Sequence, residues 1–215
     1  MLPDKEIRKL PVMIYEPRVP GRKNHIGIVL QHSDDNYFEF VPALELAARG
    51  YTVIVSYFPD PAVSLDSKLV HVGRVVDYLK SYPSVDRIIL LGHSGGATLM
   101  SAYQAVAEKG CGVFQGPEKV IAMGETGELP KADAVMFLDA NLGNGVMTLL
   151  SLDAAVISEG KGVNRDPELD LYSLANGFGE EGCRHSETFI KKYVKAHGER
   201  MNSLIRYARE RVKAI

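Results

Sequence analysis

Apolar runs and stretches of helical periodicity alternate along the first two thirds of the chain. Short runs rich in β-branched residues predict strands over residues 10–15, 25–31, 51–58, 87–91 and 132–138. Between them, apolar positions at three- and four-residue steps predict helices over 36–49, 65–80 and 95–108. Strands that alternate with such helices form βαβ units, and strands that are apolar along most of their length are covered on both faces. The pattern therefore predicts an α/β fold with a parallel sheet.

The pattern changes after Leu138. We predict a helix over 145–158, a loop rich in Gly, Asp, Asn and Pro over 159–183, and a long amphipathic helix over 186–215. Ser186 is a fair N-cap for the last helix, which is either continuous or broken near Gly198. Nothing after residue 138 predicts a further strand. The sequence stops at Ile215, on the apolar face of its last helix.

Composition narrows the class of protein. The chain has 215 residues, 46% apolar and 24% charged, which is ordinary for one globular domain. The net charge of −2 predicts neither nucleic acid nor an anionic membrane as a partner. No signal-peptide-like or membrane-spanning apolar run is present, so we expect a cytoplasmic protein. Cys111 and Cys183 predict two reduced structural thiols. We expect no metal and no cofactor, because the histidines lack metal-ligand spacing and no nucleotide-binding loop occurs.

The sequence GHSGG, from Gly92 to Gly96, stands directly between a predicted strand and a predicted helix. It is a G-x-S-x-G motif, in which the serine takes a strained backbone conformation and small neighbours let the turn close. Ser94 would then stand at the carboxyl end of a parallel strand, where ligands bind in such folds. The Gly95 amide, at the start of the helix, can donate to an oxyanion. Ser94 is thus a candidate nucleophile, and the alternative is a turn that binds phosphate or only packs.

With this motif in place, residues 12–138 resemble the α/β-hydrolase superfamily in the order of their elements. The resemblance implies a three-layer α/β-hydrolase-like sandwich with a mostly parallel sheet of about five strands. It also implies an esterase-like activity with Ser94 as the nucleophile. Many members insert a cap after the strand that corresponds to residues 132–138. The segments 139–143 and 166–178, together with the long helix, look like this cap. We therefore expect a hydrolase core over 1–144 and a helical cap over 145–215, which is not an independent domain.

The family's oxyanion loop follows the strand 25–31 and usually reads His-Gly. Here His32 matches the histidine, but Ser33 stands where glycine is usual. The resemblance therefore implies that the second oxyanion donor is the amide of Ser33 or Asp34. We expect His32 to brace this loop, and His93, inside the GHSGG turn, to pack and not to react.

A serine nucleophile needs a histidine base held by a carboxylate, in the chain order Ser, acid, His for this fold. Only His185 and His197 follow Ser94. His185 lies in a loop at the start of the last helix, whereas His197 lies on the inward face of that helix and could equally be a core residue. Asp139 is the candidate acid, because some members of the superfamily place the acid after this strand. Its alternative role is to cap a turn.

Three interpretations of the function remain open. The first is hydrolysis of an ester, thioester or amide of a small-molecule acyl substrate through a Ser94 acyl-enzyme. The second is an N-terminal fragment of a longer hydrolase, whose acid and base lie beyond Ile215. As partners we therefore expect a missing C-terminal half or, alternatively, a second copy in a homo-oligomer. The third is a hydrolase-like protein that binds a ligand without turnover.

Overall fold

The computed structural model describes residues 10–116, 123–158, 160 and 164–214. Five strands form one sheet with the spatial order β1-β3-β2-β4-β5: β1 (Val12–Tyr15), β2 (Ile26–Gln31), β3 (Thr52–Ser56), β4 (Arg87–His93) and β5 (Ala134–Leu138). β1 runs antiparallel to β3, and the other pairs are parallel. Each strand lies within its predicted range, except that β4 continues to His93. The predicted α/β fold with a mostly parallel sheet of about five strands is confirmed.

Three helices connect the parallel strands: α1 (Val41–Ala48), α2 (Leu65–Lys80) and α3 (Gly95–Lys109). The periodicity predicted α2 with its correct bounds, and α3 to within its last residue. The prediction for α1 was wrong at its start, because residues 36–40 form turns. There the Asn36 side chain accepts a hydrogen bond from the Phe38 N–H at 2.9 Å, and such a local bond competes with helix formation.

The helices cover both faces of the sheet, which gives the expected three layers. Along β2, alternate side chains enter two separate cores: Val29 packs with α2 and α3, while Ile28 and Leu30 pack with α1. All three side chains are fully buried. This double coverage explains why the strands are apolar at nearly every position and were easy to recognise.

The chain divides into two compact units between Asn144 and Gly145. The second unit begins within the first turn of α4 (Asn144–Leu150). It also contains β6 (Val156–Ser158), β7 (Asn164–Arg165), a short 3-10 turn (Leu174–Asn176) and α5 (Glu187–Lys213). The prediction of a helix as far as residue 158 was wrong. The Asp153 side chain accepts from the Ala155 N–H at 2.9 Å, which favours a turn over a continued helix.

The expectation of no further strand was also wrong, because β6 and β7 pair antiparallel. These strands of three and two residues are too short to produce a visible alternation in the sequence. α5 is continuous through Gly198, and the Ser186 side chain accepts from the Phe189 N–H at 3.1 Å, so the predicted N-cap is confirmed. Residues 159, 161–163 and Ile215, which belong to the predicted loop and helix, lie outside the described residues.

Both cysteines are free, as predicted, but only one has a structural contact. The Cys111 Sγ lies 3.2 Å from the Thr126 Oγ1, whereas Cys183 is exposed. Across the residues that the structure describes, no helix combines the length and the apolar character needed to cross a bilayer.

We expect a buried histidine on α2 to make stability depend on pH. His71 is 2% exposed, its Nε2 makes no hydrogen bond within the described part of the chain, and burial together with Arg74 lowers its pKa from 6.5 to about 4. Between pH 6.5 and pH 4, His71 is therefore protonated in the unfolded chain and neutral in the native state. Acidification from pH 6.5 to pH 4 should cost up to about 3 kcal/mol of unfolding free energy from this residue alone.

Urea unfolding of wild type and His71→Leu across this pH range measures the effect. The variant should lose less stability on acidification than the wild type does. Identical pH slopes for the two proteins would show that His71 does not contribute.

Candidate active site

Ser94 stands at a strained turn between β4 and α3. Its φ of 52° lies in the left-handed region that side chains other than glycine rarely adopt. The backbone is held on both sides: the Ser94 N–H donates to the Leu138 carbonyl at 3.0 Å, and the Ser94 carbonyl accepts from the Ala97 N–H at 3.1 Å. The side chain is half-buried, and its hydroxyl makes no hydrogen bond within the described part of the chain. The turn therefore presents an unengaged hydroxyl at the carboxyl end of the sheet.

The glycines of the GHSGG turn are required by backbone contacts. A Cβ on Gly92 would lie closer than 3.0 Å to the Gly96 carbonyl, so the turn closes only without a side chain there. A Cβ on Gly96 would meet the Gln31 carbonyl and the His32 Cα, also closer than 3.0 Å. The segment that leaves β2 thus lies directly against the start of α3.

Ser33 and Gly95, both predicted as oxyanion donors, are neighbours in the structure. A Cβ on Gly95 would lie closer than 3.0 Å to the Ser33 Oγ, which occupies that space instead. Neither the Gly95 N–H nor the Ser33 N–H makes a hydrogen bond among the residues that the structure describes. Ser33 and Gly95 are thus in contact, and each has an unengaged N–H group. Gly95 is also the first residue of α3, where the helix dipole favours negative charge.

The amide of Asp34, the alternative second donor, is already engaged. The Asp34 N–H donates to the His32 Nδ1 at 3.1 Å, and the Asp35 N–H donates to the same atom at 2.9 Å. Because Nδ1 accepts both bonds, the proton of the neutral His32 ring lies on Nε2. His32 holds the loop by these two bonds, and of the two candidate amides Ser33 has the unengaged N–H.

His93 faces an aromatic cluster. Its Nδ1 lies 2.6 Å from the Tyr37 hydroxyl, and its ring centroid is 5.2 Å from that of Phe40. Burial raises the pKa of Tyr37, with a smaller contribution from Asp35, so the phenol stays protonated at neutral pH. The ring of His93 is thus held by packing and by a neutral hydroxyl.

A lysine that the sequence analysis missed contacts the oxyanion loop. Lys68 is only 12% exposed, and its Nζ donates to the Ser33 carbonyl at 2.9 Å and to the Asp34 Oδ1 at 3.0 Å. Burial alone would raise the pKa of Asp34, but hydrogen bonds from Ser33 and Lys68 outweigh it and keep that pKa below its ordinary value. The sequence did contain a signal: Lys68 lies on the apolar stripe of α2, three residues after Leu65 and four before Val72, where a charge needs partners.

Asp139, the candidate acid, lies beside Ser94 at the edge where the strands end. His93 pairs with Leu138 in the parallel register, so Ser94 and Asp139 are the next residues on neighbouring strands. Asp139 has a φ of 47°, and within the described ranges these two are the only residues other than glycine with a positive φ. The Asp139 side chain is exposed and makes no hydrogen bond within the same ranges. Such paired backbone strain is typical of functional sites.

A cavity of about 320 Å³ opens beside Ser33 and Gly95. The apolar part of its lining consists of Val63, Leu65, Leu99, Ala102 and Phe114. The polar part includes Lys68 and Asp34, which form an ion pair, and Thr98, whose hydroxyl lies 2.9 Å from the Asn141 Oδ1. The volume is at the small end for a ligand pocket. Over the described stretches, no three His, Cys, Asp or Glu side chains are grouped to hold a metal ion.

The two candidate bases belong to the second unit and differ in their hydrogen bonds. The His185 Nδ1 lies 2.6 Å from the Asn176 carbonyl, to which it can only donate, so the lone pair of the neutral ring is on Nε2. His197 stacks on Tyr193 with 6.4 Å between ring centroids, and its buried Nε2 has no hydrogen bond within the described residues. His185 thus has the tautomer that a catalytic base requires.

Similar solved structures include several esterases. Esterase B of Lactobacillus rhamnosis is 20% identical, with a TM-score of 0.39, over 46% of this chain and 35% of its own. Est1E of Butyrivibrio proteoclasticus is 23% identical, with a TM-score of 0.37, over 46% and 41%. Esterase 2 of Thermogutta terrifontis is 14% identical, with a TM-score of 0.39, over 74% and 58%. The chain therefore spans about a third to three fifths of these proteins. No protein-family model and no curated protein matches it.

We expect Gly96→Ala to destabilise the first unit. The new methyl group would meet backbone atoms of Gln31 and His32, which cannot move aside as a flexible side chain would. Overpacking of this kind costs about 1–3 kcal/mol. Gly112→Ala is the matched control, because nothing lies within 4 Å of its Cβ position.

Urea unfolding of the two variants checks this expectation. Gly96→Ala should lower the free energy of unfolding while Gly112→Ala leaves it nearly unchanged. Equal stability of the two variants would contradict the close contact between the loop after β2 and α3.

Proposed function

We propose that this chain belongs to the α/β-hydrolase superfamily and is a cytoplasmic serine hydrolase that cleaves an ester of a small acyl substrate through a Ser94 acyl-enzyme. The main support is the strained turn at Ser94, with the unengaged N–H groups of Gly95 and Ser33 on neighbouring residues. Thioesters and amides present the same carbonyl chemistry. The two free cysteines fit a reducing compartment.

The reaction follows from these groups. The Ser94 Oγ attacks the carbonyl carbon of the ester while a base takes the hydroxyl proton. The carbonyl oxygen gains negative charge, which the Gly95 and Ser33 N–H groups stabilise by donating hydrogen bonds. The tetrahedral intermediate expels the alcohol, which receives the proton from the base, and leaves the acyl group on Ser94. Water then attacks the acyl-enzyme by the same route and releases the carboxylic acid.

We propose His185 as the base, because its tautomer leaves Nε2 free to accept the serine proton. The histidines of the first unit that lie near the turn are already engaged, His32 with two amides and His93 with Tyr37. Asp139 is the proposed acid, since its carboxylate is unengaged within the described part of the chain. It follows Leu138 as Ser94 follows His93, and His93 and Leu138 are partners in the parallel register. Because the His185 Nδ1–H already donates to the Asn176 carbonyl, the Asp139 carboxylate would stabilise the imidazolium by its charge and would not orient the ring.

The cavity beside Gly95 is proposed to hold the acyl group. Its apolar wall is suited to a hydrocarbon chain, while its one ion pair, Lys68 with Asp34, leaves no net charge to attract a charged group. At about 30 Å³ for a water-sized group, about 320 Å³ accommodates roughly ten non-hydrogen atoms. The proposal is therefore restricted to short, uncharged acyl groups.

A fluorophosphonate probe tests the nucleophile. Wild-type protein should be labelled at one site, and Ser94→Ala should abolish the label. Ser101→Ala, which changes an exposed serine on α3, is the matched control and should be labelled like the wild type. Folded wild type that resists the probe, or a label that persists in Ser94→Ala, would contradict the proposal.

Turnover of short-chain 4-nitrophenyl esters tests the acid and the base. His185→Ala should lower kcat by about 10⁴–10⁶-fold, whereas His197→Ala should retain most of it. Asp139→Asn should lower kcat by about 10–100-fold, because it removes a charge that stabilises the imidazolium and leaves the tautomer of the base unchanged. Near wild-type turnover by His185→Ala or Asp139→Asn would remove that residue from the mechanism.

A further inference from the structure

We propose that Lys68 is a positioning residue that fixes the oxyanion loop, residues 32–35, so that the Ser33 N–H is available to the reacting carbonyl. This inference rests on the proposed hydrolase function. Lys68 belongs to α2, outside both the GHSGG turn and the loop itself. It belongs to no sequence motif, and only its contacts connect it with the site.

Lys68 acts on the peptide group that joins Ser33 to Asp34. The peptide between Ser33 and Asp34 is held at both ends: its carbonyl accepts from the Lys68 Nζ at 2.9 Å, and its N–H donates to the His32 Nδ1 at 3.1 Å. Rotation of this peptide would break both bonds. While the plane of this peptide is fixed, the Asp34 N–H stays bonded to His32. The Ser33 N–H belongs to the preceding peptide and is the one of the two that stays unengaged.

The Ser33 side chain is fixed by the same group of residues. Its Oγ donates to the Asp34 Oδ2 at 2.5 Å, while the Asp34 Oδ1 accepts from Lys68 at 3.0 Å. The Oγ also occupies the space that a side chain on Gly95 would need. Lys68 thereby connects both oxyanion residues, directly to Ser33 and through Asp34 to the hydroxyl that packs on Gly95.

The environment of Lys68 strengthens these bonds. Its side chain is 12% exposed, and its Nζ lies 5.3 Å above the centroid of the Phe58 ring, so water has little access to the ammonium group. Charge-assisted hydrogen bonds are shorter and stronger than neutral ones, and more so where water is excluded. A loop in which serine replaces glycine is thus held by an ion pair instead of by its own backbone alone.

Lys68→Met removes the ammonium group and keeps most of the apolar stem. Loss of an oxyanion donor typically lowers kcat by about 10²–10³-fold, so a donor that is misplaced and not deleted should cost about 10–100-fold. KM should change by less than about threefold, because the oxyanion forms only in the transition state. The rate of fluorophosphonate labelling should fall in parallel with kcat.

Lys80→Met is the matched control. Lys80 lies on the same helix and also donates to a backbone carbonyl, that of Lys131 at 2.7 Å, but it belongs to the last turn of α2 and does not line the cavity. Its kcat should equal that of the wild type. Asp34→Asn is a second test that does not depend on Lys68→Met being folded, and it should lower kcat in the same way.

The double variant Lys68→Met/Asp34→Asn should be little slower than the slower of the two single variants, since both act on one peptide. Wild-type turnover that depends on Ser94 establishes the hydrolase function separately. If the wild type passes that test and folded Lys68→Met keeps the kcat of Lys80→Met, the positioning role is overturned and the hydrolase function stands. Lower thermal stability with unchanged kcat overturns it equally, because Lys68 would then only stabilise the fold. A wild type without Ser94-dependent turnover overturns both.

Discussion

Two backbone segments touch where the loop after β2 passes the first turn of α3, and the geometry of the site depends on this contact. A single methyl group on Gly96 would lie closer than 3.0 Å to the Gln31 carbonyl. Gln31 and Gly92 are partners in the parallel register, so the segments that follow them start side by side. The absence of side chains at Gly92, Gly95 and Gly96 lets these segments pack directly on each other. Ser33 is brought to Gly95 as a result.

Crowding of this kind determines which polar groups remain unengaged. Backbone N–H groups in a packed region normally find acceptors, and in this loop His32 accepts from two of them. Lys68 neutralises Asp34 and holds the Ser33 carbonyl. Two N–H groups, those of Ser33 and Gly95, are left on residues that touch each other. In the proposed mechanism these two N–H groups stabilise the oxyanion, and no rearrangement is needed when the charge develops.

The parts of the fold that the sequence predicted are those set by burial. β2, β3 and β4 are apolar on both faces because helices cover both faces, so their composition alone was sufficient. The start of α1 and the end of α4 were missed because single side-chain bonds, from Asn36 and Asp153, decide them. β6 and β7 are too short for periodicity to appear.

Some residues of the candidate site were also evident from the sequence, whereas others required the structure. The GHSGG motif made Ser94 and Gly95 candidates because its steric requirements are local, and the family resemblance made Ser33 a candidate. The choice between the Ser33 and Asp34 amides needed the position of the His32 ring. The role of Lys68 needed the packing of α2 against a loop more than thirty residues earlier in the chain, although a lysine on an apolar stripe was a usable warning. The sequence offers both His185, in a loop, and His197, on the inward face of the last helix, as candidates, and their hydrogen bonds became known only from the structure.

In the proposed reaction Ser94 is the nucleophile, and the N–H groups of Gly95 and Ser33 hold the oxyanion. A crystal structure of the protein after reaction with a fluorophosphonate shows both groups at once. We expect a bond from the Ser94 Oγ to phosphorus, with the phosphoryl oxygen about 2.7–3.1 Å from both amide nitrogens. A phosphonate bonded to another residue, or a phosphoryl oxygen directed away from these two amides, would contradict the proposed reaction.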